Sequence, residues 1–98
     1  MSSYGVVWRN EEGAPLAGSL ELTPKGLWLH GGYCGSEEHV HIPYGEILGF
    51  ERNPQTHIGR CRAITIFSRN AGELLVASVG GIGILTEIVG ALQQALTG

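Results

Sequence analysis

Hydrophobic positions along this chain change their spacing once, and the change divides it into a strand-forming part and a helical part. Up to about residue 79, short runs alternate apolar with polar side chains and are separated by Gly, Pro and Asn. Alternation puts every second side chain on one face of a strand, and the separating residues are those that tolerate tight turns. The first run covers residues 4–9 and closes at Asn10-Glu11-Glu12-Gly13-Ala14-Pro15. The second, 16–22, places Leu20 and Leu22 on one face and Ser19 and Glu21 on the other. Thr23-Pro24-Lys25-Gly26 then provides a fixed φ followed by a residue that accepts positive φ, as a tight turn requires. In the third run, 27–30, Leu27 and Leu29 turn inward and leave Trp28 and His30 on the opposite face. After a loop over 31–36, Val40 and Ile42 alternate with His39 and His41 in a fourth run, 38–42.

Pro43-Tyr44-Gly45-Glu46 ends that strand, and 47–52 forms a fifth with Phe50 as its bulky member. Residues 53–59 read as a polar loop too rich in breakers for regular structure. The longest strand candidate is 60–68, with Ile64 and Ile66 opposite Ala63, Thr65 and Phe67. A turn at Arg69-Asn70-Ala71-Gly72 leads into the seventh, 73–79. From Gly80 the apolar residues Ile82, Leu85, Ile88, Val89, Leu92 and Leu96 recur at steps of three or four, which predicts an amphipathic helix over about 81–96. A helix following seven strands must bury its apolar stripe against the sheet they form. The expectation is therefore a mostly β single domain over 1–98, a bent antiparallel sheet or partly open barrel capped by one C-terminal helix.

Composition narrows the chemistry. Ninety-eight residues leave room for one domain, and sixteen glycines serve as the punctuation of the strands. All nine acidic residues are Glu, so a Ser-His-Asp triad, an EF-hand loop and an aspartyl nucleophile are excluded. A formal net charge of −3 argues against nucleic acid as a partner. The first residues lack a charged segment followed by an apolar run, no stretch approaches the length of a membrane span, and the two cysteines, Cys34 and Cys61, are read as reduced thiols. A cytoplasmic protein is expected.

The segment Gly18-Ser19-Leu20-Glu21-Leu22-Thr23-Pro24-Lys25-Gly26-Leu27-Trp28-Leu29 resembles the G-x-L-x-L-T-x-x-x-L-x-L hairpin of pleckstrin-homology-like (PH-like) domains, in particular the small bacterial ones. Ile42-Pro43-Tyr44-Gly45-Glu46-Ile47 is similar to their I-x-Y-x-(D/E)-I connection into the fifth strand, and residues 64–96 resemble their last two strands and capping helix. The resemblance implies a bent seven-strand barrel plugged by the helix, and a binding or scaffolding module rather than a catalyst. Two departures limit it. Phosphoinositide-binding members carry several Lys and Arg beside the loop joining their first two strands, where this chain has Arg9 followed by Glu11 and Glu12, so membrane phosphoinositides are not expected at that place. The tryptophan common in the C-terminal helix of eukaryotic members is also missing. Leu22-Thr23-Pro24-Lys25-Gly26-Leu27 is similar to part of the D-x-S-x-x-G motif of PilZ barrels, but without its Asp or a preceding pair of arginines, and that reading is set aside.

Charge is unevenly spread. Arg52, Arg60, Arg62 and Arg69 fall in a stretch without Glu, so that stretch carries +4 and the rest −7. Such a region can receive a carboxylate-rich partner segment or a phosphate; the plainer alternative is that these arginines keep a hairpin edge soluble. His30, Cys34, His39, His41, His57 and Cys61 include metal-ligating types, with His39 and His41 on one strand face. Zinc sites pair their ligand clusters, and here one weak pair lacks a match, so no metal or cofactor is expected. Cys34 with His39 or His41 and Glu37 or Glu38 contains the residue types of a nucleophilic site without any sign of its geometry, and no catalytic residue is assigned. Gly80-Gly81-Ile82-Gly83 lacks the spacing of a phosphate-binding loop and reads as a turn. Trp28, turned away from its leucine neighbours, is a candidate interface anchor, with Tyr33 and Tyr44 the remaining aromatics to place.

The leading expectation is thus a non-enzymatic PH-like module that binds a protein partner or self-associates as a homo-oligomer. The alternative is an anionic-ligand or membrane-surface binder. The candidate binding residues are Arg52, Arg60, Arg62, Arg69 and Trp28.

Overall fold

In the computed structural model, which describes residues 2–11, 13–33 and 36–97, the alternating runs are strands and the three-to-four spacing is a helix. The strands are β1 (Ser2–Asn10), β2 (Leu16–Thr23), β3 (Gly26–Tyr33), β4 (Ser36–Pro43), β5 (Ile47–Glu51), β6 (His57–Ile58), β7 (Cys61–Ser68) and β8 (Gly72–Ser78). A 3₁₀ turn, Tyr44–Glu46, joins β4 to β5, and α1 (Ile82–Thr97) closes the chain. The sheet runs β4-β3-β2-β1-β8-β7-β5, antiparallel throughout, with β6 added to β7, and it curls into a half-barrel. The mostly β fold with one C-terminal helix is the expected one.

Register follows from the turns. The four-residue turn Thr23–Gly26, in which the Thr23 hydroxyl accepts from the Gly26 amide, pairs Leu22 with Leu27 and Leu20 with Leu29. All four leucines face inward, because side-chain direction repeats every two residues on both strands. Val6, Trp8, Ile42, Ile64, Ile66, Leu74 and Val76 join them from the other strands. Leu85, Ile88 and Leu92 of α1 complete this core, one helix stripe laid into the concave side of the sheet. Trp8, 1% exposed, is the largest of these side chains, and its indole N–H donates to the His30 carbonyl across 2.9 Å.

Two expectations are corrected. Gly31 and Gly32, read as loop, continue β3 opposite Gly18 and Ala17. A side chain at Gly18 would run into the His30 carbonyl, and a Cβ at Gly31 would stand 2.9 Å from the Trp8 indole nitrogen, so glycine here permits close packing rather than a turn. Residues 53–59 are not wholly irregular. Gly59, at φ +60, allows a two-residue turn that pairs His57 with Arg62 and Ile58 with Cys61. Ile58 is thereby pressed onto Ala63 and Ala77, a small apolar cluster distinct from the main core. No described helix is long and apolar enough to cross a membrane.

Candidate functional site

Antiparallel pairing of β7 with β8 brings the start of one to the end of the other, and the chain then enters α1 through Val79, Gly80 and Gly81. Gly81, at φ +94, makes the sharp change of direction that a residue with a side chain resists. Between the β6–β7 turn and this entry lies a cavity of about 420 Å³, lined by Arg60, Cys61, Arg62, Ser78, Val79, Gly81 and Ile82. Two guanidinium groups and two exposed aliphatic side chains, Val79 (63% exposed) and Ile82 (51%), share it. Among the described residues, no carboxylate lines it. Among the described residues, neither the Arg60 nor the Arg62 side chain has a hydrogen bond or ion pair within the chain.

Of the other predicted arginines, Arg52 lies near this end of α1. Its guanidinium donates to the Thr86 hydroxyl at 2.7 Å, and that hydroxyl donates to the Ile82 carbonyl at 3.0 Å. Arg69 does not join them. It sits in the turn between β7 and β8, where its backbone N–H donates to the Glu46 carbonyl. The chemistry available at the cavity is the binding of an anionic group that carries an apolar neighbour, since guanidinium forks match carboxylate and phosphate oxygens while Val79 and Ile82 offer uncovered apolar surface. Arg60 and Arg62 were visible in the sequence. The sequence pattern places Val79 in a strand and Ile82 on the apolar helix stripe, whereas the structure leaves both mostly exposed on either side of Gly81.

Trp28 lies on the other side of the sheet from the leucines, as expected, but half-buried rather than presented to solvent. Its ring stacks on His41 of β4 at 4.2 Å between centroids and, almost parallel, on His30 at 5.8 Å. Cross-strand pairing sets Trp28 opposite both Glu21 and His41, and His30 opposite His39. The Nδ1 atoms of His30 and His39 are 2.7 Å apart, and His30 Nε2 is 3.5 Å from the Glu21 carboxylate. This interlocked set was missed because His39 and His41 were paired along one strand. The register about Thr23–Gly26, readable in the sequence, would have placed Glu21 beside Trp28.

The six metal-ligating residues noted in the sequence do not form one group. His30, His39 and His41 belong to β3 and β4, while His57 and Cys61 lie at the β6–β7 turn, where His57 Nδ1 donates to the Gln55 carbonyl at 3.1 Å. Cys34, and with it the suggested Cys34–His nucleophilic arrangement, lies outside the described residues, as do Glu12 and the Tyr33 side chain. Among the described residues no three His, Cys, Asp or Glu side chains are gathered as a metal cage. Tyr44 packs at the base of the β2–β3 turn, its hydroxyl donating to the Thr23 carbonyl at 2.5 Å, and burial raises its pKa above the ordinary 10.0.

No protein family matches the chain, and neither does any curated protein. Among solved structures, it is similar to the C-terminal domain of an unknown protein from Leishmania infantum, with a TM-score of 0.68 and 16% sequence identity over 95% of this chain and 83% of that one. At that identity the likeness shows a shared fold, a curled antiparallel sheet with a C-terminal helix.

Proposed function

We propose that this chain is a non-catalytic binding module of PH-like type whose working surface is the Arg60–Arg62 cavity, and that it receives an acidic segment of a protein partner bearing an aliphatic side chain. The observation that carries the reading is the juxtaposition at one cavity of two uncommitted guanidinium groups with exposed Val79 and Ile82. Charges that stabilised the fold would be met by intrachain carboxylates, and large aliphatic groups left in water cost free energy until something covers them. A concave site on a chain with net charge −3 suits a narrow acidic segment better than a broad anionic membrane, which would also meet the −7 carried elsewhere. The PH-like assignment is supported by the sequence resemblance and by the meander order of the sheet with a helix at its end.

The test is fluorescence anisotropy with a labelled peptide of alternating Glu and Leu, alongside sedimentation with vesicles containing anionic lipid. The expected result is saturable peptide binding that weakens as salt rises and is lost in the Arg60→Glu, Arg62→Glu double variant. Binding to vesicles alone would move the reading to a membrane surface, and a peptide affinity unchanged in the double variant would remove it. Light scattering of the free protein at micromolar concentration reads self-association independently.

A further inference from the structure

We propose that His30 and His39 form the centre of a site for a divalent transition-metal ion on the outer face of β3 and β4, with water completing the coordination. Opposed positions on neighbouring antiparallel strands bring the two Nδ1 atoms to 2.7 Å. That contact needs one donor and one acceptor, because two protonated imidazoles would present a proton to each other. The Glu21 carboxylate, 3.5 Å from His30 Nε2, decides which is which: it favours the proton on Nε2 and leaves the His30 Nδ1 lone pair pointing at His39. A carboxylate behind one ring nitrogen, with the lone pair on the other facing a second imidazole, is the arrangement that orients histidines toward metals. The near-parallel contact with Trp28 further holds the plane of the His30 ring.

Space is also present. Ala17, Gly18, Gly31 and Gly32 line a groove of about 250 Å³ together with His30, His39 and Glu37, so little side-chain bulk stands over the histidine pair. Nitrogens bound at about 2.0–2.1 Å to a tetrahedral ion stand about 3.3 Å apart, so the two rings open by roughly half an ångström on binding. The His39 proton moves from Nδ1 to Nε2 through solvent, two nitrogen–metal bonds replace one hydrogen bond, and no oxidant or further reactant is required. Two imidazoles are two donors short of a closed four-ligand cage, which predicts an open, exchangeable site. Copper(II) is expected to bind more tightly than zinc(II), by the usual order for nitrogen ligands.

The experiment is a titration of the full chain, free of any histidine tag, with copper(II) and with zinc(II), followed by calorimetry and by tryptophan fluorescence. Wild type is expected to bind one equivalent of copper(II) with strong quenching of Trp28, and zinc(II) at least tenfold more weakly. His39→Ala, at an exposed position, is expected to weaken copper binding at least tenfold with its circular dichroism unchanged. His57→Ala, at the distant β6–β7 turn, is expected to bind as wild type. Absence of saturable binding, or equal weakening in the two variants, overturns the proposal.

Discussion

On the outer face of β3 and β4 the polar and aromatic groups meet one another: Glu21 meets His30, His30 meets His39, and Trp28 lies against His30 and His41. Around the cavity beside α1, by contrast, the Arg60 and Arg62 side chains have no hydrogen-bond or ion-pair partner among the described residues, and Val79 and Ile82 are mostly exposed. The difference teaches where a small fold keeps its unspent interactions. Groups satisfied within the chain organise the surface. Groups left unsatisfied are available to another molecule.

The strongest way to break this comparison lies beneath the histidine face. Trp8→Ala removes the largest core side chain together with its hydrogen bond to the His30 carbonyl, and is expected to cost about 3–5 kcal/mol in urea denaturation. A loss that large also disorders His30, so the Trp28–His30 contact goes with it. Arg60→Glu with Arg62→Glu, by contrast, is expected to leave stability within about 0.5 kcal/mol while weakening the acidic peptide at least tenfold, because exposed charges without partners contribute little to folding. A large stability change in that variant would place the arginines in the scaffold instead.

Smaller effects sharpen the contrast. Tyr44→Phe is expected to cost about 1 kcal/mol through the lost bond to the Thr23 carbonyl. Its pH dependence has a definite sign. The raised pKa means that the folded state favours the protonated phenol, so this contribution is intact below about pH 10 and is lost as pH climbs through the folded-state value. Wild-type stability is therefore expected to fall more steeply than that of the variant in denaturation curves taken between about pH 9 and pH 12. His41→Ala, which removes one stacking partner of Trp28, is expected to cost about 0.5–1 kcal/mol and to shift Trp28 emission without altering peptide binding.

Alternation and turn chemistry made most of the fold legible before the structure. Leu20, Leu22, Leu27 and Leu29 announce their common face, and Ile82, Leu85, Ile88 and Leu92 announce a helix that begins at Ile82 and ends at Thr97, each end one residue later than expected. Glycine misled in both directions. Gly31 serves close packing against Trp8 inside a strand, whereas Gly59 turns a stretch dismissed as irregular into the tip of a short hairpin. The candidate site was half legible. The +4 stretch named Arg52, Arg60 and Arg62, but the separation of Arg69 from them, and the joining of Val79 and Ile82 to them, depend on which strands lie side by side and on the bend at Gly81. The His30–His39 pair was hidden for the same reason, being a relation between strands rather than along one.

The most direct test is to follow backbone amide resonances by nitrogen–proton NMR while the Glu–Leu peptide is added to the full chain. The account predicts that the shifts gather at Arg60, Cys61, Arg62, Val79, Gly81 and Ile82 and spare Trp28, His30 and His39. Shifts gathered on β3 and β4, or none anywhere, would contradict it.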